Sequence, residues 1–308
     1  MKRLFVAVAT LAVAAFGASA QDYNAGIEAF NAGATALETS KTEALNSFLS
    51  ALEQFQACEE EEAAEMVAKC KEIIPSTILS IAKEQINGGE YDSAVETLAK
   101  AESTAKEYGN EDIAAEASSL VPNVFMRKGS SLIKAKDFAN AIPAFQKVIE
   151  LTPEDGQAYL LLGQATMQTG NLDGAIDAFK KASELGQEAK TTKLLSNCFL
   201  KKGQGLFKAG KNAEAIEALE ESNKYVESAN AYKLIAAAQT KSGKSADAIN
   251  TYKKYLEVDP NAKDAVDVMF TIAATAQKAG DKATAKEYYQ KLDGTKYAAQ
   301  ATAQLKTL

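Results

Sequence analysis

Residues 156–188 read GQAYLLLGQATMQTGNLDGAIDAFKKASELGQE. Within this stretch, Gly170 is followed by Ala175, Phe179 and Ala182, at intervals of five, four and three residues. The last three positions fall on one stripe of an α-helix, and the glycine supplies the permissive backbone that a tight turn between helices needs. The stretch therefore predicts an antiparallel pair of helices joined near Gly170.

The same pattern recurs along the chain with an irregular period. The anchoring alanines lie between 33 and 50 residues apart. The further units are Gly89/Ala94/Leu98/Ala101, Gly210/Ala215/Leu219/Ser222, Gly243/Ala248/Tyr252/Tyr255 and Gly280/Ala285/Tyr289/Leu292, while Ala44/Phe48/Ala51 and Ala141/Phe145/Val148 have Thr39 and Lys136 in place of the glycine. Helix pairs that repeat at such an interval bury a continuous core by stacking on one another.

Three of these units resemble the tetratricopeptide repeat family, and the weaker resemblance extends over roughly residues 75–292. The residues that carry it are Phe125, Gly129, Ala141, Phe145 and Pro153, then Tyr159, Leu162, Gly163, Ala175, Phe179 and Ala182, then Tyr232, Ala248, Tyr252 and Pro260. The resemblance implies an all-α fold, a right-handed α-solenoid of antiparallel helix hairpins. The composition agrees, because the chain has only five prolines and no sustained apolar/polar alternation that would indicate a strand.

Four segments follow from these patterns. Residues 1–20 form a signal peptide, residues 21–121 form N-terminal helical hairpins with longer, atypical repeats, residues 122–292 form the tetratricopeptide repeat array, and residues 293–308 form a C-terminal capping helix. Pro75 lies 47 residues before Pro122, which indicates that one longer unit is duplicated. About thirteen extra residues precede each proline; apolar spacing favours helix there, and a lengthened loop is the alternative.

The N-terminus predicts export. Met1-Lys2-Arg3 is a basic start, residues 4–16 are apolar, and Ala18-Ser19-Ala20 is a small-residue cleavage site before Gln21. The apolar run is shorter than the ~20 residues that span a bilayer, which favours cleavage over a membrane anchor. We therefore expect a mature chain that is secreted across the inner membrane of a bacterium, resides in the periplasm and does not insert into a membrane.

Charge and residue usage exclude several classes of function. Without Lys2 and Arg3 the chain carries 32 basic and 41 acidic residues, which argues against nucleic acid as a partner. It contains no histidine, so Ser-His-Asp and Cys-His catalysis and histidine-ligated metals are excluded. We expect no enzyme activity, no cofactor and no metal. A carboxylate-dependent hydrolase of envelope polymers is a weak alternative, because its chemistry needs only Asp or Glu.

The cysteines leave one question open. Cys58 and Cys70 lie twelve residues apart and flank the acidic run at residues 59–62, whereas Cys198 stands alone. In one unbroken helix the first two sulfurs would be ~18 Å apart and could not join. If the chain turns between them, a disulfide between Cys58 and Cys70 becomes possible in an oxidising compartment.

Function is expected to come from the surface that stacking creates. The family resemblance implies that the first helices of successive hairpins line a concave groove for a peptide. The groove positions it assigns in this chain are Met126, Ser130, Leu160, Gln164, Met167, Leu200, Gln204, Phe207, Lys233 and Phe270, with Lys134, Lys208, Lys241 and Lys278 beside them. Apolar anchors and amides in alternation suit an extended peptide or a partner helix. Ordinary packing and solvent exposure are the competing explanation at each position.

Two classes of function remain from the sequence. The leading hypothesis is a non-enzymatic protein–protein interaction adaptor of the cell envelope, whose partner protein or peptide is not identified. The alternative is a structural envelope protein that associates with itself as a homo-oligomer. The adaptor hypothesis predicts that Leu160→Glu combined with Leu200→Glu abolishes partner binding without unfolding the chain.

Overall fold

A computed structural model of the protein describes residues 23–58 and 61–308. The described residues are mostly α-helical and contain no strand, so the predicted all-α class is confirmed. The predicted signal peptide at residues 1–20 lies outside them. The helices are α1 Tyr23–Ala36, α2 Lys41–Gln56, α3 Glu61–Gly88, α4 Tyr91–Glu107, α5 Glu111–Lys134, α6 Phe138–Leu151, α7 Gly156–Gln168, α8 Leu172–Ala182, α9 Glu188–Lys208, α10 Asn212–Tyr225, α11 Ala229–Lys241, α12 Ser245–Val258, α13 Ala265–Ala279, α14 Lys282–Gln290 and α15 Ala298–Leu305.

The chain divides into two compact units between Val124 and Phe125, a boundary inside α5. In the first unit, α1 packs on α2, α2 on α3, and α3 on α4. Its core is one cluster that includes Phe48, Phe55 and Ile74, each at most 1% exposed. The helix pairs of the first unit, from α1 onward, therefore pack around one shared apolar core.

Both prolines that the sequence analysis singled out lie inside long helices. Pro75 is within α3, which has 28 residues, and Pro122 is within α5, which has 24. The extra residues ahead of each proline are helical, so the lengthened-loop alternative is wrong. The apolar side chains Cys70 and Ala117 of these extra segments are fully buried, which explains why they continue as helix.

The second unit is a series of antiparallel hairpins in chain order. The first hairpin consists of α5 from Phe125 on and α6. The others are α7 with α8, α9 with α10, α11 with α12, and α13 with α14. The second helix of each hairpin contacts the first helix of the next hairpin. The helix α15 packs on α14 at the end, within residues 293–308. The first helices of successive hairpins consequently run in the same direction, and their C-terminal ends lie along one edge of the unit.

Close packing between the two helices of a hairpin depends on a glycine in the first helix. A Cβ atom added to Gly163 would lie 2.6 Å from ring atoms of Phe179, which is completely buried. Gly129 has the same relation to Phe145 at 2.7 Å. Each glycine therefore allows an aromatic ring of the second helix to lie directly on the backbone of the first.

The turn after the first helix also has a repeated form. At Lys136 the N–H donates to the carbonyl of Ile133, and the next N–H, of Asp137, donates to the carbonyl of Leu132. This is the Schellman arrangement, in which the residue at the turn adopts a left-handed conformation. Lys136 has φ 60°, whereas the equivalent position in five other hairpins is a glycine. Lys136 is the residue that stands in place of that glycine in the repeated sequence pattern.

The possible disulfide is not formed in this structure. Cys58 and Cys70 are not joined, and the Cys58 thiol donates to the carbonyl of Gln54 at 3.3 Å. The two cysteines do not share a helix, since α2 ends at Gln56 and α3 begins at Glu61. Cys70 lies roughly 14 Å along the α3 axis from the start of that helix. Burial raises the pKa of the Cys70 thiol to about 11, as expected of a packing residue.

None of the helices in residues 23–58 and 61–308 combines the length and the apolar character needed to cross a bilayer.

Candidate functional site

The candidate site is the surface of the second unit formed by its first helices, here called the first-helix face. Its neighbouring helices touch through side chains on this surface. The Lys190 ammonium of α9 donates to the Gln157 amide oxygen of α7 at 3.4 Å. The Lys241 ammonium of α11 lies 4.3 Å from the ring centroid of Phe207 on α9. Predicted positions on α7, α9 and α11 therefore belong to one surface.

One predicted groove position is wrong. Leu160 is only 3% exposed, because it packs in a core cluster with Ile176 and Phe179 of α8 and Leu195 of α9. A partner cannot reach it without opening that core. Replacing it with glutamate would bury an unpaired carboxylate and unfold the hairpin. The variant Leu160→Glu is therefore unsuitable as a test of binding.

The amide positions are open to a partner. The side chains of Ser130, Gln164 and Gln204 are half-buried, and none of the three makes a hydrogen bond to another described residue. Gln164 and Gln204 each follow the glycine that packs on its second helix, Gly163 and Gly203 respectively. They therefore occupy equivalent places on successive first helices. An amide that makes no internal hydrogen bond stands at each place, and it can donate to and accept from an extended backbone.

The apolar positions lie beside these amides and are half-buried. Met126 and Met167 pack at the margins of two core clusters. Leu200 packs at the margin of a third cluster, so it contributes to the fold as well as to the surface. Phe207 presents part of its ring, and one ring face is covered by the Lys241 ammonium. Such side chains provide shallow apolar contacts next to the amides.

Lys233 is engaged within the protein. Its ammonium pairs with the Asp264 carboxylate, which also accepts a hydrogen bond from the Tyr255 hydroxyl. These hydrogen bonds, from Lys233 first and Tyr255 second, lower the pKa of Asp264. Burial and the bond to Asp264 raise the pKa of Tyr255. The three side chains join α11, α12 and the start of α13, so Lys233 has a structural partner that the sequence pattern did not indicate.

Phe270 is covered by the C-terminal segment. The ring of Tyr297 stacks on it, and the Tyr297 hydroxyl donates to the Asp267 carboxylate at 2.8 Å. Lys296 also pairs with Asp267, and the Gln277 amide donates to Gln304 at 3.0 Å. The part of the first-helix face around Phe270 is therefore closed to a partner. No repeat-based rule could have placed Tyr297 here, because it lies outside the repeat pattern.

A second depression lies away from this face. A cavity of about 400 Å³ lies between α10, α11 and α12 and is lined by Glu220, Asn223, Lys224, Tyr232, Ile235, Thr251 and Lys254. Most of its lining comes from second helices. Within the part of the chain that the structure describes, no three Cys, Asp or Glu side chains converge in a way that could hold a metal ion.

Comparison with protein families identifies the repeats directly. One tetratricopeptide repeat model matches residues 126–189 and 200–265, and a second matches residues 267–293. Together these matches cover about half of the chain. They span the hairpins of the second unit, in which the first-helix face lies.

Individual relatives are more distant. The small glutamine-rich tetratricopeptide repeat-containing protein 2 of Mycosarcoma maydis is 33% identical over 91 residues, which is 30% of this chain and 24% of that protein. The chain thus spans about a quarter of the length of this curated relative. Among solved structures, MamA is 23% identical with a TM-score of 0.35, covering 58% of this chain and 97% of MamA. The protein YrrB, described as a TPR protein with an unusual peptide-binding site, is 19% identical with a TM-score of 0.36, covering 60% of this chain and 91% of YrrB.

Proposed function

Since this chain belongs to the tetratricopeptide repeat family, we propose that it is a non-enzymatic adaptor that binds an extended segment of a partner protein on its first-helix face. Helical repeat proteins use the extended surface made by stacked repeats for binding. The predicted signal peptide supports a place in the bacterial cell envelope, where such an adaptor would hold its partner for assembly, transport or folding.

One observation carries the proposal. Gln164 and Gln204 stand at equivalent places on successive first helices, half-buried and with no hydrogen bond to another described residue. A half-buried amide without an internal partner bonds to water through its exposed part, and the backbone of a partner can replace that water. Met167 and Phe207 lie one turn further along the same two helices. An amide and an apolar side chain therefore stand together on both helices, so the backbone of an extended segment can bond to the amides while its side chains contact the apolar residues.

The experiment is site-specific photocrosslinking in intact cells. A photoreactive side chain at Gln204 is expected to capture a protein, and the same group at Glu217, which is exposed on the second helix α10, serves as the control. The captured protein must then bind the purified chain, and Gln164→Ala with Gln204→Ala must weaken that binding. The assigned surface would be refuted by equal capture from both positions, or by an affinity for the captured protein that the double substitution does not lower. Capture of a second copy of the chain would instead favour self-association.

A further inference from the structure

Charge is distributed very unevenly between the two units. Residues 23–124 contain six basic and nineteen acidic side chains, whereas residues 125–308 contain 26 basic and 21 acidic ones. The acidic character of the whole chain therefore comes from the first unit. The second unit, which carries the first-helix face, has a basic surplus.

The lysines of the second unit are concentrated at one end of its first helices. Lys134, Lys208, Lys241 and Lys278 each lie in the last turn of α5, α9, α11 and α13 respectively. Because these helices run in the same direction, the four ammonium groups follow one edge of the unit. We call Lys208, Lys241 and Lys278, which come from three successive hairpins, the lysine row.

The opposite ends of the first helices are acidic. The connections that lead into them contain Glu154 and Asp155, Glu184, Glu227, and Asp259 and Asp264 with one lysine, Lys263, while Glu188 begins α9 and Glu257 lies in the last turn of α12. Lysine near a helix C-terminus and carboxylates near an N-terminus both complement the helix dipole, which explains each residue locally. Their repetition in register nevertheless gives the first-helix face a positive edge and a negative edge.

The ammonium groups of the lysine row are not neutralised by ion pairs with other described residues. All three side chains are exposed, and within the described residues none of them forms an ion pair. Many other lysines of this unit are paired, as Lys202 is with Asp173 and Lys291 with Glu287. The Lys241 ammonium rests on the ring of Phe207, next to Lys208 in the chain. This contact holds a cation beside one of the apolar positions of the proposed binding surface.

We propose that the lysine row binds an acidic, extended segment of a partner protein. This inference rests on the proposed function and specifies its partner. Neighbouring helices lie on the order of 10 Å apart, and an extended chain advances about 3.3 Å per residue. Carboxylates at every third residue of the segment therefore match successive lysines, while its backbone passes the Gln204 amide and an apolar side chain contacts Phe207.

A protein segment fits better than a nucleic acid. One cation per ~10 Å is far sparser than the charge of a phosphate backbone, which in duplex DNA carries one charge per ~1.7 Å. The half-buried ring of Phe207 has one face covered by Lys241, so a base cannot stack on that face.

The test uses synthetic peptides of about ten residues and fluorescence anisotropy on the full chain. One peptide has glutamate at every third position with serine between; one has the same glutamates in a single run; one has glutamine in place of glutamate. The spaced peptide should bind best. Its affinity should fall about tenfold for Lys208→Glu with Lys241→Glu, and it should also fall when salt is raised from about 50 to 300 mM. The matched control is Lys263→Glu with Lys286→Glu, two exposed lysines without ion pairs in the described residues.

The inference is overturned if the spaced peptide does not bind, or if both double variants lose the same affinity for it. It is also overturned if the peptide with a single run of glutamates binds equally well, or if a single-stranded oligonucleotide of similar length binds more tightly. The proposed function is judged separately. If the partner crosslinked at Gln204 binds the Lys208→Glu/Lys241→Glu variant as tightly as the parent chain, the adaptor function stands and the lysine row is not its recognition element.

Discussion

The rings of Tyr297 and Phe270 are stacked, with centroids 4.4 Å apart and planes inclined by 16°. The Tyr297 hydroxyl also donates to Asp267, one turn before Phe270 on α13. A residue from the connection between α14 and α15 therefore closes the apolar surface of the last hairpin. Terminal repeats need such a cover, because an unpaired apolar face would otherwise meet water.

Replacing Tyr297 with alanine should destabilise the last hairpin. The change removes an aromatic pair worth about 0.5–1.5 kcal/mol, together with the hydrogen bond to Asp267. Hydrogen exchange should show faster opening of α13 and α14, and urea unfolding should report the loss of stability. Tyr297→Phe is the control, because it keeps the ring and loses only the bond to Asp267. If both variants lose the same stability, stacking on Phe270 contributes nothing.

Gly163→Ala should lower stability although alanine is the better helix former. Its new Cβ would lie 2.6 Å from the ring of Phe179, which is buried and cannot move aside. Overpacking of this kind costs about 1–3 kcal/mol, against a helix-propensity gain of about 1 kcal/mol. Gly205→Ala is the matched control, because no atom lies within 4 Å of its added Cβ. We expect thermal unfolding to shift down for the first variant and up for the second. Two upward shifts would contradict the close packing at Gly163.

Lys136→Gly should raise stability. Lys136 has φ 60°, a conformation that costs a side-chain-bearing residue about 1 kcal/mol relative to glycine. The other hairpins have glycine at this turn, at positions 89, 170, 210, 243 and 280. The measurement is the urea midpoint. Lys136→Ala keeps the Cβ and removes the charge, so it should not raise stability comparably. An equal rise in stability for Lys136→Ala would show that the gain comes from the charge and not from backbone conformation.

The Asp264 carboxylate should make stability depend on pH. Hydrogen bonds from Lys233 and Tyr255 hold its pKa below the ordinary value of 3.8. The folded state therefore binds the proton less readily than the unfolded chain, and the stabilisation is present above that ordinary pKa and lost as pH falls through the lowered folded-state pKa.

Asp264→Asn should consequently lose about 0.5–1 kcal/mol at neutral pH. The variant should also show a shallower decline of stability below about pH 4 than the parent chain. Urea unfolding across this pH range measures both effects. Asp259→Asn is the matched control, because it changes an exposed carboxylate of the same connection that makes no side-chain hydrogen bond or ion pair with another described residue. Identical profiles for the parent chain and Asp264→Asn would exclude a role for this carboxylate.

The sequence by itself determined the helix pairs and where they turn. Apolar residues at helical spacing fix which side of each helix must be buried, and the turn after a first helix needs left-handed backbone, which favours glycine. At Lys136 the backbone has the same left-handed geometry although the residue is not a glycine, so the local pattern specifies the turn even there. These are local requirements, so they can be read from a few neighbouring residues.

Only the tertiary structure decided which predicted surface positions a partner can reach. Leu160 and Gln164 lie one turn apart on α7, yet Leu160 is enclosed by neighbouring elements and Gln164 is accessible. Phe270 is covered by Tyr297, which lies 27 residues further along the chain. Helical periodicity orients a side chain toward one face, but its exposure depends on how closely other helices approach that face, and that distance is set by contacts between residues far apart in sequence.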